Sequence, residues 1–225
     1  MKKTRWCFFI SIFILSLLIS NSVFCDQLKA DESLKLLKEG NERFIQMNLK
    51  HPNETIEQRE NTAIKGQSPF AIVLACSDSR VPAEMIFDRG IGDIFVIRVA
   101  GNVVMDSSVV GSIEYAAEHL NVPLLVILGH TDCGAIKSAV SDVHVEGKIQ
   151  DIKNQIKPIV IKTKRQNPGL IGEDLVDSVA ENNVITAKTD LLSKSNVINK
   201  MSKDGKIAII TAMYNVKTGK VEWLD

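Results

Sequence analysis

Three short, unbroken apolar runs constrain this chain more than anything else in it: residues 70–75 (FAIVLA), 94–97 (IFVI) and 124–128 (LLVIL). A strand with one solvated face alternates apolar and polar residues. A strand with no polar side belongs to a sheet covered on both faces, as parallel sheets are. Between the second and third runs, residues 108–120 carry apolar positions at helical spacing and stop just before Pro123, and another helix is expected to begin just after Cys133. Strand, helix and strand in alternation with short links predict an α/β fold, a central mostly parallel sheet built by right-handed crossovers and flanked by helices. Residues 149–195 read as mainly helical with a break at Asn167-Pro168-Gly169, and 206–214 with 220–224 read as a closing hairpin. Ahead of the sheet, Leu34, Leu37, Phe44 and Ile45 recur at three- and four-residue steps, which predicts amphipathic helices over 26–65 with Asp31 as an N-cap. Their apolar face needs a surface to cover, and a second copy of the chain is one that would serve.

The first 25 residues are of another kind. Lys2, Lys3 and Arg5 precede an apolar stretch from Trp6 to Ser20 broken only by serines, and small or polar residues follow at Asn21 and Ser22. That order is the one found in secretory signal peptides. Cleavage is expected after Ser22 or Cys25, leaving 26–225 as a single domain in a periplasm or outside the cell. Two variants stay open: an uncleaved N-terminal anchor, and a lipidated Cys25, which the bulky Phe24 before it disfavours. Membrane contact is expected only in those two cases. The whole chain has 27 Lys+Arg and 27 Asp+Glu; without residues 1–25 the balance is 24 against 27, net −3. No basic stripe for nucleic-acid phosphates is present, so the expected partner is a small molecule or another copy of the chain.

Ligands of open parallel sheets bind outside the carboxyl ends of the strands, and two of those ends are chemically loaded here. The first run leads directly into Cys76-Ser77-Asp78-Ser79-Arg80, and the third into His130-Thr131-Asp132-Cys133. Cys76, Asp78, His130 and Cys133 are all metal-ligand types, and two thiolates with an imidazole suit Zn2+ better than magnesium or calcium. Each residue alone has a plainer reading: core cysteine, hydrogen-bonded histidine, or, in an oxidising compartment, a Cys76–Cys133 disulfide. Their concurrence at two strand ends favours a metal site. If the loop is extended, residues 76, 78 and 80 point the same way, and Arg80 can hold Asp78 in a bidentate pair beside the metal. Other signals are weaker: Gly90-Ile91-Gly92 precedes a strand and so opens no dinucleotide fold, Ser77 and Ser79 lack a nucleophile elbow, and there is no Cys-x-x-Cys pair. A cysteine hydrolase using Cys76 with His130 as base, and a non-catalytic zinc site, remain the rival readings.

Four segments together, Cys76-Ser-Asp-Ser-Arg80-Val-Pro, Arg98-Val-Ala-Gly-Asn102, Gly111-Ser-Ile-Glu-Tyr115 and Gly129-His-Thr-Asp-Cys-Gly-Ala135, resemble the β-class carbonic anhydrases, a bacterial and exported one here. The resemblance runs from about Asn41 to the C-terminus. It implies reversible hydration of carbon dioxide to bicarbonate and a proton by a zinc-bound hydroxide, with Cys76, His130 and Cys133 as ligands. By the same resemblance Asp78 is either a fourth ligand in a closed form or the partner of Arg80 in an open one. A substrate pocket shared across a homodimer or homotetramer interface is implied for Gln67, Phe95, Ala100, Tyr115 and the Gly134 backbone. Val73 stands where the bicarbonate-regulated subgroup has a tryptophan, so the open form is expected.

Overall fold

A computed structural model of the chain describes residues 29–141 and 143–225. Five strands form one sheet in the order β2-β1-β3-β4-β5: β1 (Ala71–Ala75), β2 (Ile94–Arg98), β3 (Leu124–His130), β4 (Ala208–Tyr214) and β5 (Val221–Trp223). The first four run parallel and β5 returns antiparallel on β4, so the closing hairpin is present. β1 and β3 are buried at every residue, as their unbroken apolar runs require. β2 is half-buried with Arg98 exposed, because it is the outer strand of the sheet. An apolar run distinguishes a two-faced strand from a solvated one, but not a central strand from an edge.

The two faces of the sheet collect different helices. Ile72 and Leu74 of β1 and Leu125 and Ile127 of β3 point into a core with α4 (Ser107–Glu114), α5 (Gly134–Ser141), α6 (Ile149–Gln166), α7 (Gly172–Lys194) and α8 (Asn196–Lys203). Their sequence neighbours Ala71, Val73, Ala75, Leu124, Val126 and Leu128 point the other way, toward α1 (Ala30–Ile45) and the short α3 (Ala83–Ile86). The chain leaves β1 over the α3 face and leaves β3 over the α5 face. Such a divergence between two neighbouring carboxyl ends marks the place where sheets of this kind bind ligands. The helix expected over 108–120 is divided: α4 is capped by Asp106, which accepts from Ser108 N (2.9 Å) and Val109 N (3.1 Å), and it passes into a π-helical turn at Tyr115–His119. The break at 167–169 separates α6 from α7 as expected.

The N-terminal helices correct one expectation. α1 starts after Lys29 rather than at Asp31, which lies in its first turn with Glu32, where carboxylates complement the helix dipole. Its apolar face covers this protomer's own sheet: Leu37 is wholly buried, with Leu34 and Phe44 packed beside it. Gly40 meets Phe87, where a Cβ would fall 1.8 Å from the carbonyl oxygen, so only glycine permits this approach. Asn41, also buried, donates to the carbonyls of Ile86 (3.3 Å) and Gly219 (2.8 Å) and accepts from Val221 N (2.9 Å). Leu34, Leu37 and Phe44 therefore need no second copy to cover them. The helix left uncovered is α2 (Ile56–Lys65), which buries no residue and exposes Ile56 and Ile64. No helix among the described residues is long and apolar enough to cross a membrane. Asn41→Ala strands one buried donor and two carbonyls, and should lower stability by about 1–3 kcal/mol in urea denaturation without changing the far-UV circular dichroism.

Candidate metal centre

Cys76 is the first residue after β1, His130 is the last of β3, and Cys133 closes the turn that starts α5. The parallel register Ala75↔Leu128 sets the two strand ends side by side. Cys76, His130 and Cys133 are all buried, and their ligand atoms lie within 4.8 Å of one another. The His130 ring has Nδ1 2.8 Å from the Thr131 carbonyl oxygen. A carbonyl only accepts, so Nδ1 carries a proton, and in the neutral ring Nε2 keeps its lone pair. That Nε2 is buried without a hydrogen-bond partner. An orphaned buried polar atom costs about 1–3 kcal/mol unless something satisfies it, and a metal ion does.

The sulfurs are prepared in the same sense. Gly101 N–H donates to Cys76 Sγ at 3.3 Å, from a left-handed backbone (φ 72°) where a Cβ would press on Ala135 and Ile156. Asn183 of α7 holds that turn by donating to the Gly101 carbonyl at 2.8 Å. The Cys76 thiol is pulled well below the usual thiol range, first by the Cys133 thiol that donates to it, then by His130 and by the Gly101 and Asp78 amides, against the opposing effect of burial. Cys133 is pushed up by the Cys76 sulfur and by burial. Both cysteines are free thiols, so the disulfide reading does not hold in this structure. Two clustered sulfurs and one imidazole lone pair, closed off from water, form a donor set that fits zinc.

Asp78 does not join that cluster. Its carboxylate accepts from Arg80 Nε (3.0 Å) and Arg80 Nη2 (2.8 Å), and also from the Arg80 backbone amide (2.9 Å). These guanidinium bonds hold it well below the usual carboxylate range. The pair forms across a tight turn closed by Val81 N to the Asp78 carbonyl (2.9 Å), not along an extended loop. The expected partners meet, but by turn geometry in place of strand alternation.

A family model described as carbonic anhydrase matches residues 71–221. The chain belongs to the carbonic anhydrases, in their β class. Among its relatives is "Carbonic anhydrase 2" of Mycobacterium tuberculosis, 40% identical over 195 residues, covering 85% of this chain and 91% of that protein. A carbonic anhydrase of Mycolicibacterium smegmatis is 38% identical over 192 residues, covering 84% and 90%. A solved β-carbonic anhydrase of Aspergillus fumigatus superposes with a TM-score of 0.69 at 29% identity, covering 87% of this chain and 90% of that one. One of the tetrameric β-carbonic anhydrases of Sordaria macrospora gives 0.69 at 26% identity, covering 75% and 87%.

In this carbonic anhydrase the residues expected at the pocket divide into two groups. Ala100 adjoins Gly101, which touches Cys76, and Gly134 follows Cys133, so both border the metal centre. Phe95 pairs with Ile72, four residues before Cys76, or about 13 Å along the strand. Tyr115 packs on Phe95 (6.2 Å between rings) and His119 on Tyr115 (5.6 Å). Gln67 precedes β1 altogether and is exposed. A single protomer therefore does not bring Gln67, Phe95 and Tyr115 to its own cluster. Reading the sequence missed two contributors: the Gly101 amide and Arg98. The last donates to the carbonyls of Cys76 (3.1 Å) and Asp78 (2.6 Å) and so holds the loop between them. Its position at the end of a strand beside the cysteine strand was the available signal. One zinc per chain is expected by metal analysis; Cys76→Ser or His130→Ala should abolish tight binding, and chelation should expose two thiols to alkylation that zinc protects.

Proposed function

We propose that this protein catalyses the reversible hydration of carbon dioxide to bicarbonate and a proton, with zinc held by Cys76, His130 and Cys133. The observation that carries the reading is the buried cluster with a free imidazole lone pair, beside a carboxylate that Arg80 keeps out of it. Zinc, when bound, is a Lewis acid that makes water acidic enough to ionise near neutral pH, an effect for which carbonic anhydrases with three histidine ligands are the usual example. The chain's own residues do the positioning. Thr131 fixes the His130 tautomer through its carbonyl, and Gly101 and Asn183 fix the Cys76 sulfur. Asp78 remains a carboxylate at any working pH, and the lone pairs that Arg80 leaves unused accept a hydrogen bond from the attacking water and aim it. Arg98 prevents the Asp78 loop from bending back, and neutral, small Ala100 leaves room for an uncharged linear substrate.

The rest of the pocket is read as shared between copies. Gln67, Phe95 and Tyr115 would reach the cluster of a second protomer, with Gln67 bonding an oxygen of the product and the two rings forming an apolar wall. The outer position of β2 and the exposed apolar residues of α2 support an assembly of two or four chains, as does the tetramer described for the Sordaria macrospora relatives. Export belongs to the same proposal: residues 1–25, which lie outside the described residues, serve as a signal peptide, so the enzyme works in the periplasm or beyond the cell. N-terminal sequencing of the mature protein would show a start shortly after residue 22 or 25; an intact Met1 would refute it.

Stopped-flow measurement of carbon dioxide hydration tests the activity. The zinc-loaded protein should exceed buffer by orders of magnitude and lose that excess on chelation, and a rate equal to buffer would overturn the reading. A rate that survived chelation would favour cysteine chemistry. Asp78→Asn should keep zinc but reduce turnover about 100-fold, the size of effect typical for a positioned acid–base group. Light scattering should return a dimer or larger, and a fully active monomer would remove the shared pocket.

A further inference from the structure

We infer that Asp132 is a positioning residue that keeps the Arg80 guanidinium on Asp78, and so keeps the Asp78 carboxylate away from the metal. The inference rests on the zinc site proposed above and concerns what holds its fourth position open. Arg80 is half exposed and carries a long, rotamer-rich side chain, so its pair with Asp78 is by itself a surface ion pair of small worth. Asp132 changes that. Its Oδ2 takes Arg80 Nη1 at 2.7 Å, and its carbonyl takes Arg80 Nη2 at 3.1 Å. The Asp132 carboxylate uses the guanidinium edge that Asp78 leaves free, so the two acids do not compete for one donor.

Asp132 is in turn held from three directions. Its backbone amide donates to Asp177 of α7 at 3.0 Å, Lys137 of α5 pairs with its other carboxylate oxygen, and its backbone adopts a left-handed conformation (φ 59°) between the ligands His130 and Cys133. The neighbouring Thr131 is tied to β4 through Tyr214 and to the hairpin through Val216. The guanidinium is thereby clamped between one carboxylate near the first strand's end and another on the rigid turn that carries two metal ligands. Removing the Asp132 carboxylate leaves Arg80 with only the Asp132 carbonyl as its second anchor, which loosens its hold on Asp78 and lets that carboxylate turn toward a bound metal more often.

Cobalt(II)-substituted protein titrated with azide reads this without an activity assay. Thiolate-to-cobalt absorption reports the metal on Cys76 and Cys133, and azide-induced changes in the d–d bands report an exchangeable fourth position. Asp132→Asn, which tolerates the left-handed backbone, should keep the thiolate bands but weaken azide binding about fivefold as Asp78 closes on the metal. Asp132→Gly, equally suited to that backbone, should do the same if the asparagine variant folds poorly. Combining either change with Asp78→Asn should restore azide affinity to that of Asp78→Asn alone. Unchanged azide affinity in the Asp132 variants would overturn the inference. So would a loss that Asp78→Asn fails to rescue, because it would mean that the 130–133 turn itself was disturbed. Thiolate bands missing from the unsubstituted protein would instead refute the metal site, and the inference with it.

Discussion

The metal end of this molecule depends on β1 and β3 lying side by side and running in the same direction. Neighbouring strands are about 4.8 Å apart, and the three ligand atoms fall within 4.8 Å of one another. The pairing of β1 with β3 thus brings Cys76 beside His130, and the turn after β3 adds Cys133. Both strands are buried on both faces, so the spacing is held by the α1 and α3 layer on one side and the α5 to α8 layer on the other. A ligand set on loops would have to be ordered each time a metal arrived; here the ordering entropy is met by folding of the core.

The electrostatics follow from that placement. Two sulfurs and an imidazole lone pair are buried together, which is unfavourable without a cation and favourable with one. The Asp78 carboxylate is a group that could serve as a fourth ligand, and the structure assigns it another partner. Arg80 holds Asp78, Arg98 holds the backbone on either side of Ser77, and the guanidinium of Arg80 is anchored onward to the turn carrying His130 and Cys133. Cluster and gate are therefore built from the same two loops, and a shift in either is felt by the other.

Much of this was legible from residue order. The unbroken apolar runs identified β1, β2 and β3 as strands of a covered sheet, though not which of them lies outermost, and the ligand types at the ends of β1 and β3 pointed to the site before any geometry was known. Local signals were weaker where a neighbour decides the outcome. The periodicity of α1 marked an apolar face but not what it covers; the covering surface is this protomer's own sheet, because Gly40 allows contact with Phe87 and Asn41 ties the helix to the hairpin. The turn at 78–81 replaced an extended loop because the Asp78 carboxylate bonds the Arg80 amide, a local choice that strand alternation does not encode. α8 was not anticipated.

The sequence alone determined the layered α/β architecture, the donor types and their order, because apolar periodicity and side-chain chemistry are properties of the chain itself. Only the tertiary structure decided which ring nitrogen of His130 is free, that Asp78 faces Arg80 and not the metal, and that Arg98, Gly101 and Asp132 serve the site. The first two depend on local hydrogen bonds whose turn geometry composition does not express, and the last three on hydrogen bonds between segments remote in sequence. For the same reason, Gln67, Phe95 and Tyr115 share a resemblance to pocket residues but not a position: the strand register puts them at the other end of the sheet from the cluster of their own chain.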